Sequence, residues 1–128
     1  MINTADPDAL LALGVLYFMD RNFDMALESF THALELNPDS HSILNKIGAT
    51  MANKGLNREA VEEYSKALDT NPFYVRVWVN IGIAYANLKE YDKAARFYLC
   101  ALSLNPEADH VWNYLNTAFM YMERPDLI

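Results

Sequence analysis

The run Ala33-Leu34-Glu35-Leu36-Asn37-Pro38 returns as Ala67-Leu68-Asp69-Thr70-Asn71-Pro72 and again as Ala101-Leu102-Ser103-Leu104-Asn105-Pro106, each copy 34 residues after the last. The same interval separates Gly14, Gly48 and Gly82, and likewise Ala26, Ala60 and Ala94. Glycine inside a helix costs up to ~1 kcal/mol against alanine, so three of them at one offset point to a packing requirement. They sit where the first helix of each copy comes closest to the second. Large side chains fill the space beside them: Tyr17, Met51 and Tyr85 on first helices, Phe30, Tyr64 and Tyr98 on second helices. Each Asn-Pro pair ends a second helix, because proline disfavours helical geometry in the residue before it and can open the next helix. Turns between paired helices are expected near Arg21–Asn22, Gly55–Leu56 and Lys89–Glu90.

A period of 34 with small residues at these offsets is the signature of the tetratricopeptide repeat, or TPR. The expected fold is therefore all-α: a TPR α-solenoid of three helix-turn-helix repeats, about 7–40, 41–74 and 75–108, plus a closing C-terminal helix at about 109–123. Residues 1–128 read as one such domain. In the closing helix Trp112, Leu115 and Phe119 follow first-helix apolar spacing, while Asn116 replaces the glycine because no second helix packs there. Arg124-Pro125 stops the pattern. At the other end Ala9, Leu10, Leu13 and Leu16 form an apolar edge suited to stacking on a further repeat, so the chain is expected to be a fragment of a longer protein.

Composition narrows the function. Apolar residues make up 52% of the 128, enough for a core, and four glycines with five prolines disfavour a turn-rich β fold. A net charge of −7 makes the chain a poor binder of nucleic acid or anionic membranes. The lone Cys100 makes no intramolecular disulfide, which suits a reducing compartment. Met1 to Leu10 has no basic run ahead of its apolar residues and does not read as a signal peptide. The longest apolar stretch, Ala9 to Met19, falls short of the roughly 20 residues of a membrane helix, so no direct membrane insertion is expected.

No catalytic or metal-binding spacing is present, and neither an enzyme nor a cofactor is expected. His32, His41 and His110 read as surface or helix-end residues, Cys100 as a packed side chain on a second helix, and Glu62-Glu63 as a solvated face. Function is then expected on a surface. First helices line the concave side of TPR arrays, where the inward residues are Ser42, Asn45, Lys46, Ala49, Ala52 and Asn53 in the second repeat. In the third they are Arg76, Val79, Asn80, Ile83, Ala86 and Asn87. The acids Glu28, Glu35, Glu59, Glu62, Glu63 and Asp92 lie on second helices instead. Asparagine amides can clamp a ligand's main chain, and arginine holds a carboxylate bidentately. Asn53 and Asn87, near helix ends, serve equally well as caps, and Lys46 as a surface lysine lying along its helix. Arg76 opens a helix, where the dipole disfavours a cation, which favours a ligand role.

Two stretches, Leu44-Asn45-Lys46-Ile47-Gly48-Ala49-Thr50-Met51-Ala52-Asn53 and Tyr74-Val75-Arg76-Val77-Trp78-Val79-Asn80-Ile81-Gly82-Ile83, are narrower than a general TPR. They resemble the C-terminal repeats of the peroxisomal import receptors that recognise the type-1 targeting signal, the C-terminal Ser-Lys-Leu tripeptide. The resemblance runs from about Asp8 through Val111-Trp112. It implies that Asn45, Asn53, Arg76, Asn80 and Asn87 contact the signal's main chain and carboxylate, with Lys46 and Ala49 shaping the pocket for its last side chain. It implies cargo proteins ending in Ser-Lys-Leu-like tripeptides as partners, docking proteins engaged through regions outside this chain, and cycling between cytoplasm and peroxisome or a related organelle such as the glycosome. The family's first three repeats are missing here, and the Asn105 to His110 connection is shorter than in some members. The rival expectation is a co-chaperone or scaffold TPR binding another C-terminal peptide. Clamps for acidic tails typically carry Lys or Arg where this chain has Asn53 and Asn87.

Overall fold

A computed structural model describes residues 6–123; Arg124-Pro125 and the first five residues of the N-terminal segment lie outside them. The described residues form seven α-helices and no strand, as the all-α reading expects. By internal packing the chain divides at Asn71 and Pro72.

The first unit holds α1 (Pro7–Met19), α2 (Phe23–Leu36), α3 (His41–Asn53) and α4 (Asn57–Thr70). Its helix starts are chemically marked. Asp6 Oδ1 accepts the Asp8 amide at 3.0 Å with Pro7 at the first helical position, and Ser40 Oγ accepts the Ile43 amide at 3.2 Å. The helices pack through Leu10, Ala26, Phe30, Ala33, Ile43 and Ile47. Gly14 and Gly48 let the Phe30 and Tyr64 rings lie directly against the first-helix backbone, and a Cβ on Gly48 would stand 2.5 Å from Tyr64 Cε1.

The second unit holds α5 (Val75–Asn87), α6 (Tyr91–Leu104) and α7 (Asp109–Glu123). Here Tyr98 lies on Gly82, again with 2.5 Å to a hypothetical Cβ. Helix α7 packs on this core through Val111, Leu115 and Ala118. The expected stripe is corrected in part: Trp112 and Phe119 are exposed, because they occupy the side on which first helices receive a second helix. Trp112 instead anchors the preceding turn, its Nε1 donating to the Pro106 carbonyl at 2.9 Å, as Trp78 Nε1 donates to that of Pro72 at 2.8 Å.

Asn37, Asn71 and Asn105 cap α2, α4 and α6 with closely matching non-helical backbone angles, φ about −144°. The prolines after them stand in the turns, short of the next helix. Between paired helices Arg21, Gly55 and Lys89 all have positive φ, at 59°, 83° and 64°. Leu56 N–H reaches back to the Met51 carbonyl at 2.9 Å and Gly55 N–H to that of Ala52 at 3.0 Å, a Schellman closure repeated at the other two turns.

Two further expectations are corrected. Cys100 is exposed, since α6 turns Ala101 and Leu102 inward and leaves position 100 on the outer face. Leu10 is buried in the first core, so the apolar edge of α1 keeps Ala9, Leu13 and the well-exposed Leu16. Glu63 is half-buried and pairs with Lys66 at 3.2 Å, whereas Glu62 is solvated.

Candidate peptide-binding site

The candidate residues of the first unit lie on α3. Asn45 is buried, Lys46 and Ala49 are half-buried, and Asn53 is exposed. Lys46 Nζ lies along the helix and donates to Ser42 Oγ at 3.1 Å. Asn53 Nδ2 donates to the Ala49 carbonyl at 2.8 Å, so this amide already satisfies the last turn of its own helix. Thr50, fully buried one turn beyond Lys46, satisfies its hydroxyl by donating to the Lys46 carbonyl at 2.7 Å.

In the second unit Arg76, Asn80 and Asn87 lie on α5, a spacing that sets them along one side of a helix. Arg76 and Asn80 line a groove of about 420 Å³ between α5 and α7. Its other wall comes from Asn105, Ala108, His110 and Tyr114. Arg76 is exposed, stands in the first turn of α5 and pairs with no carboxylate among the described residues. The helix dipole is unfavourable to a cation there, and an anion entering the groove would relieve it. Asn105 Oδ1 accepts the Glu107 amide at 3.3 Å, which fixes the short turn above the groove.

The groove continues into a second hollow of about 400 Å³ lined by Ala86, Asn87, Tyr91, Tyr98 and Thr117, with Ile83 and Tyr114 common to both. Burial pushes the Tyr98 hydroxyl up to about 12, with Tyr114 adding to it, so this hydroxyl stays protonated far above neutral pH. Tyr98 and Tyr114 stack at 5.7 Å between ring centroids, and Tyr91 stacks on Tyr121 at 4.7 Å.

The sequence reading misses Asn105, His110 and Tyr114. A signal for two of them exists: advancing Arg76 and Asn80 by one 34-residue period lands on His110 and Tyr114. The inward offsets therefore continue into the closing helix.

The tetratricopeptide-repeat family profile matches residues 7–40 and 75–107. A peroxisomal targeting signal receptor of Candida glabrata is 38% identical over 60 residues, covering 47% of this chain and 10% of that protein. A peroxisomal targeting signal 1 receptor of Dictyostelium discoideum is 41% identical over 56 residues, 44% of this chain and 9% of that protein. The matched stretch thus spans about a tenth of the length of these relatives. Among solved structures, the first TPR domain of Spaghetti bound to the HSP90 peptide SRMEEVD is similar with a TM-score of 0.87 at 18% identity, covering 95% of this chain and 97% of that one. That likeness concerns the fold.

Proposed function

We propose, on the premise that this chain belongs to the tetratricopeptide-repeat family, that it is the cargo-recognition part of a peroxisomal protein import receptor and binds C-terminal tripeptide targeting signals. The observation that carries this reading is Arg76, a cation without an ion-pair partner among the described residues, beside Asn80 in an open groove. A terminal carboxylate fits the guanidinium, and asparagine amides fit the peptide main chain. Asn45 and Asn53 of α3 and Asn87 of α5 are proposed as further contacts, with Lys46 and Ala49 shaping the pocket for the last side chain. The names of the receptor relatives support the choice of ligand. The proposal treats residues 1–128 as one binding module whose partners are cargo proteins ending in Ser-Lys-Leu-like tripeptides. Docking on the organelle falls to regions outside this chain, and the receptor cycles between cytoplasm and peroxisome or glycosome.

A second reading, a co-chaperone module for acidic tails, is favoured by the likeness to a domain bound to an HSP90 peptide. The neutral amides of Asn53 and Asn87 favour the first. NMR titration of the chain with Ser-Lys-Leu, its C-terminal amide and SRMEEVD separates them. Perturbation by the free acid that the amide fails to produce is expected. Stronger perturbation by SRMEEVD than by Ser-Lys-Leu would establish the second reading instead.

A further inference from the structure

We infer that the aromatic hollow formed by Tyr91, Tyr98, Tyr114 and Ala86 is a subsite for an apolar side chain four to five residues upstream of the bound peptide's terminal carboxylate. The inference rests on the reading of Arg76 as the anchor of that carboxylate.

The hollow and the Arg76 groove are continuous, since Ile83 and Tyr114 line both. Charge is divided sharply along them. Arg76 stands at one end, while no Asp, Glu, Lys, Arg or His lines the other. A ligand matching both parts carries its anion at the Arg76 end and an uncharged apolar group beyond Tyr114. Helix α5 rises about 1.5 Å per residue, so Ala86 lies about 15 Å along the axis from Arg76. An extended chain advances about 3.3 Å per residue, which places its fourth or fifth residue from the carboxylate over the hollow.

The walls are held in place before any ligand arrives. Tyr98 is fixed between the Gly82 backbone and the Tyr114 ring, and Tyr91 is fixed by Tyr121. Such preorganisation lowers the ordering cost of binding. The volume of about 400 Å³ lies within the range of small-ligand pockets and exceeds what a single aliphatic side chain fills, so Leu, Met and Phe are all admissible. Asn87 at the rim supplies an amide for the main chain of the same segment.

The test is an NMR titration of the chain with Ala-Leu-Ala-Ser-Lys-Leu, with Ala-Gly-Ala-Ser-Lys-Leu, and with the C-terminal amide of the first peptide. Leucine is expected to tighten binding about five- to tenfold over glycine, the yield of burying part of an aliphatic side chain. It should also shift the Ala86 and Ala118 methyls and the Tyr91 ring, which line the hollow and not the Arg76 groove and which the glycine peptide leaves in place. Thr117→Phe, which fills the hollow from an exposed position of α7, should abolish the preference while preserving the response to free acid over amide. Equal binding of the leucine and glycine acids, both tighter than the amide, overturns the subsite and leaves the carboxylate reading standing. Binding of the amide as tight as that of its free acid overturns the carboxylate reading, and the subsite with it.

Discussion

The Tyr64 ring occupies the volume that a side chain at position 48 would need: a Cβ on Gly48 would lie 2.5 Å from Cε1 and 2.6 Å from Cδ1. Tyr64 is buried, so its ring has nowhere to retreat. Alanine at position 48 would gain up to ~1 kcal/mol of helix propensity and lose about 1–3 kcal/mol to overpacking. Gly48→Ala is therefore expected to destabilise the chain by about 1–2 kcal/mol in urea unfolding. An unchanged or raised midpoint would show that the ring moves aside freely.

Backbone conformation gives the next expectation. Gly55, Arg21 and Lys89 share a left-handed conformation, yet only one of the three is glycine. Nothing lies within 4 Å of a Cβ on Gly55, so Gly55→Ala would test the backbone alone. It should cost about 1 kcal/mol, since the left-handed region is unfavourable to L-residues by about 1–2 kcal/mol. Lys89→Gly should gain up to about 1 kcal/mol, because relief of that strain exceeds the entropy glycine adds to the unfolded chain. A stabilising Gly55→Ala together with a destabilising Lys89→Gly would refute this account of the turns.

Alkaline pH should unfold the chain through its buried tyrosines. Burial pushes the Tyr64 hydroxyl up to about 12 from the ordinary tyrosine value of 10.0. Between those values the native state retains a proton that the unfolded chain releases, so stability is full below pH 10 and falls as pH rises toward 12. Tyr64→Phe should flatten that decline in a series of thermal melts. If the wild type and the variant lose stability in parallel from pH 10 to 12, Tyr64 is not responsible.

The 34-residue period made the helical class, the Asn-Pro stops and the glycine–aromatic pairs legible, because each is a local residue requirement repeated three times. Orientation was less legible. Helix α7 carries two apolar stripes one residue apart, Val111-Leu115-Ala118 and Trp112-Phe119, and their spacing alone does not say which one the core receives. Cys100 is a related case, since its neighbours Ala101 and Leu102 take the inward positions. Of the groove, the α5 wall was visible as Arg76 and Asn80. The α7 wall is less so, because α7 belongs to an incomplete repeat in which Asn116 replaces the glycine that marks the frame.

Arg76 separates stability from function. It stands in the first turn of α5, where the helix dipole disfavours a positive charge, and no carboxylate among the described residues pairs with it to compensate. Reversing the charge should therefore stabilise the helix: Arg76→Glu gains about 0.3–1 kcal/mol from the dipole in low salt, an advantage that shrinks as salt is added. The same change places a carboxylate at the end of the groove proposed for the ligand's carboxylate. Losing a hydrogen bond to a charged group costs about 1.5–3 kcal/mol, so affinity for a Ser-Lys-Leu acid should fall at least tenfold. Urea unfolding at two salt concentrations and a peptide titration of the same variant read the two effects. Stability and affinity are expected to move in opposite directions; a variant that binds the acid as the wild type does would remove Arg76 from the site, and one that unfolds more readily would give it a structural role instead.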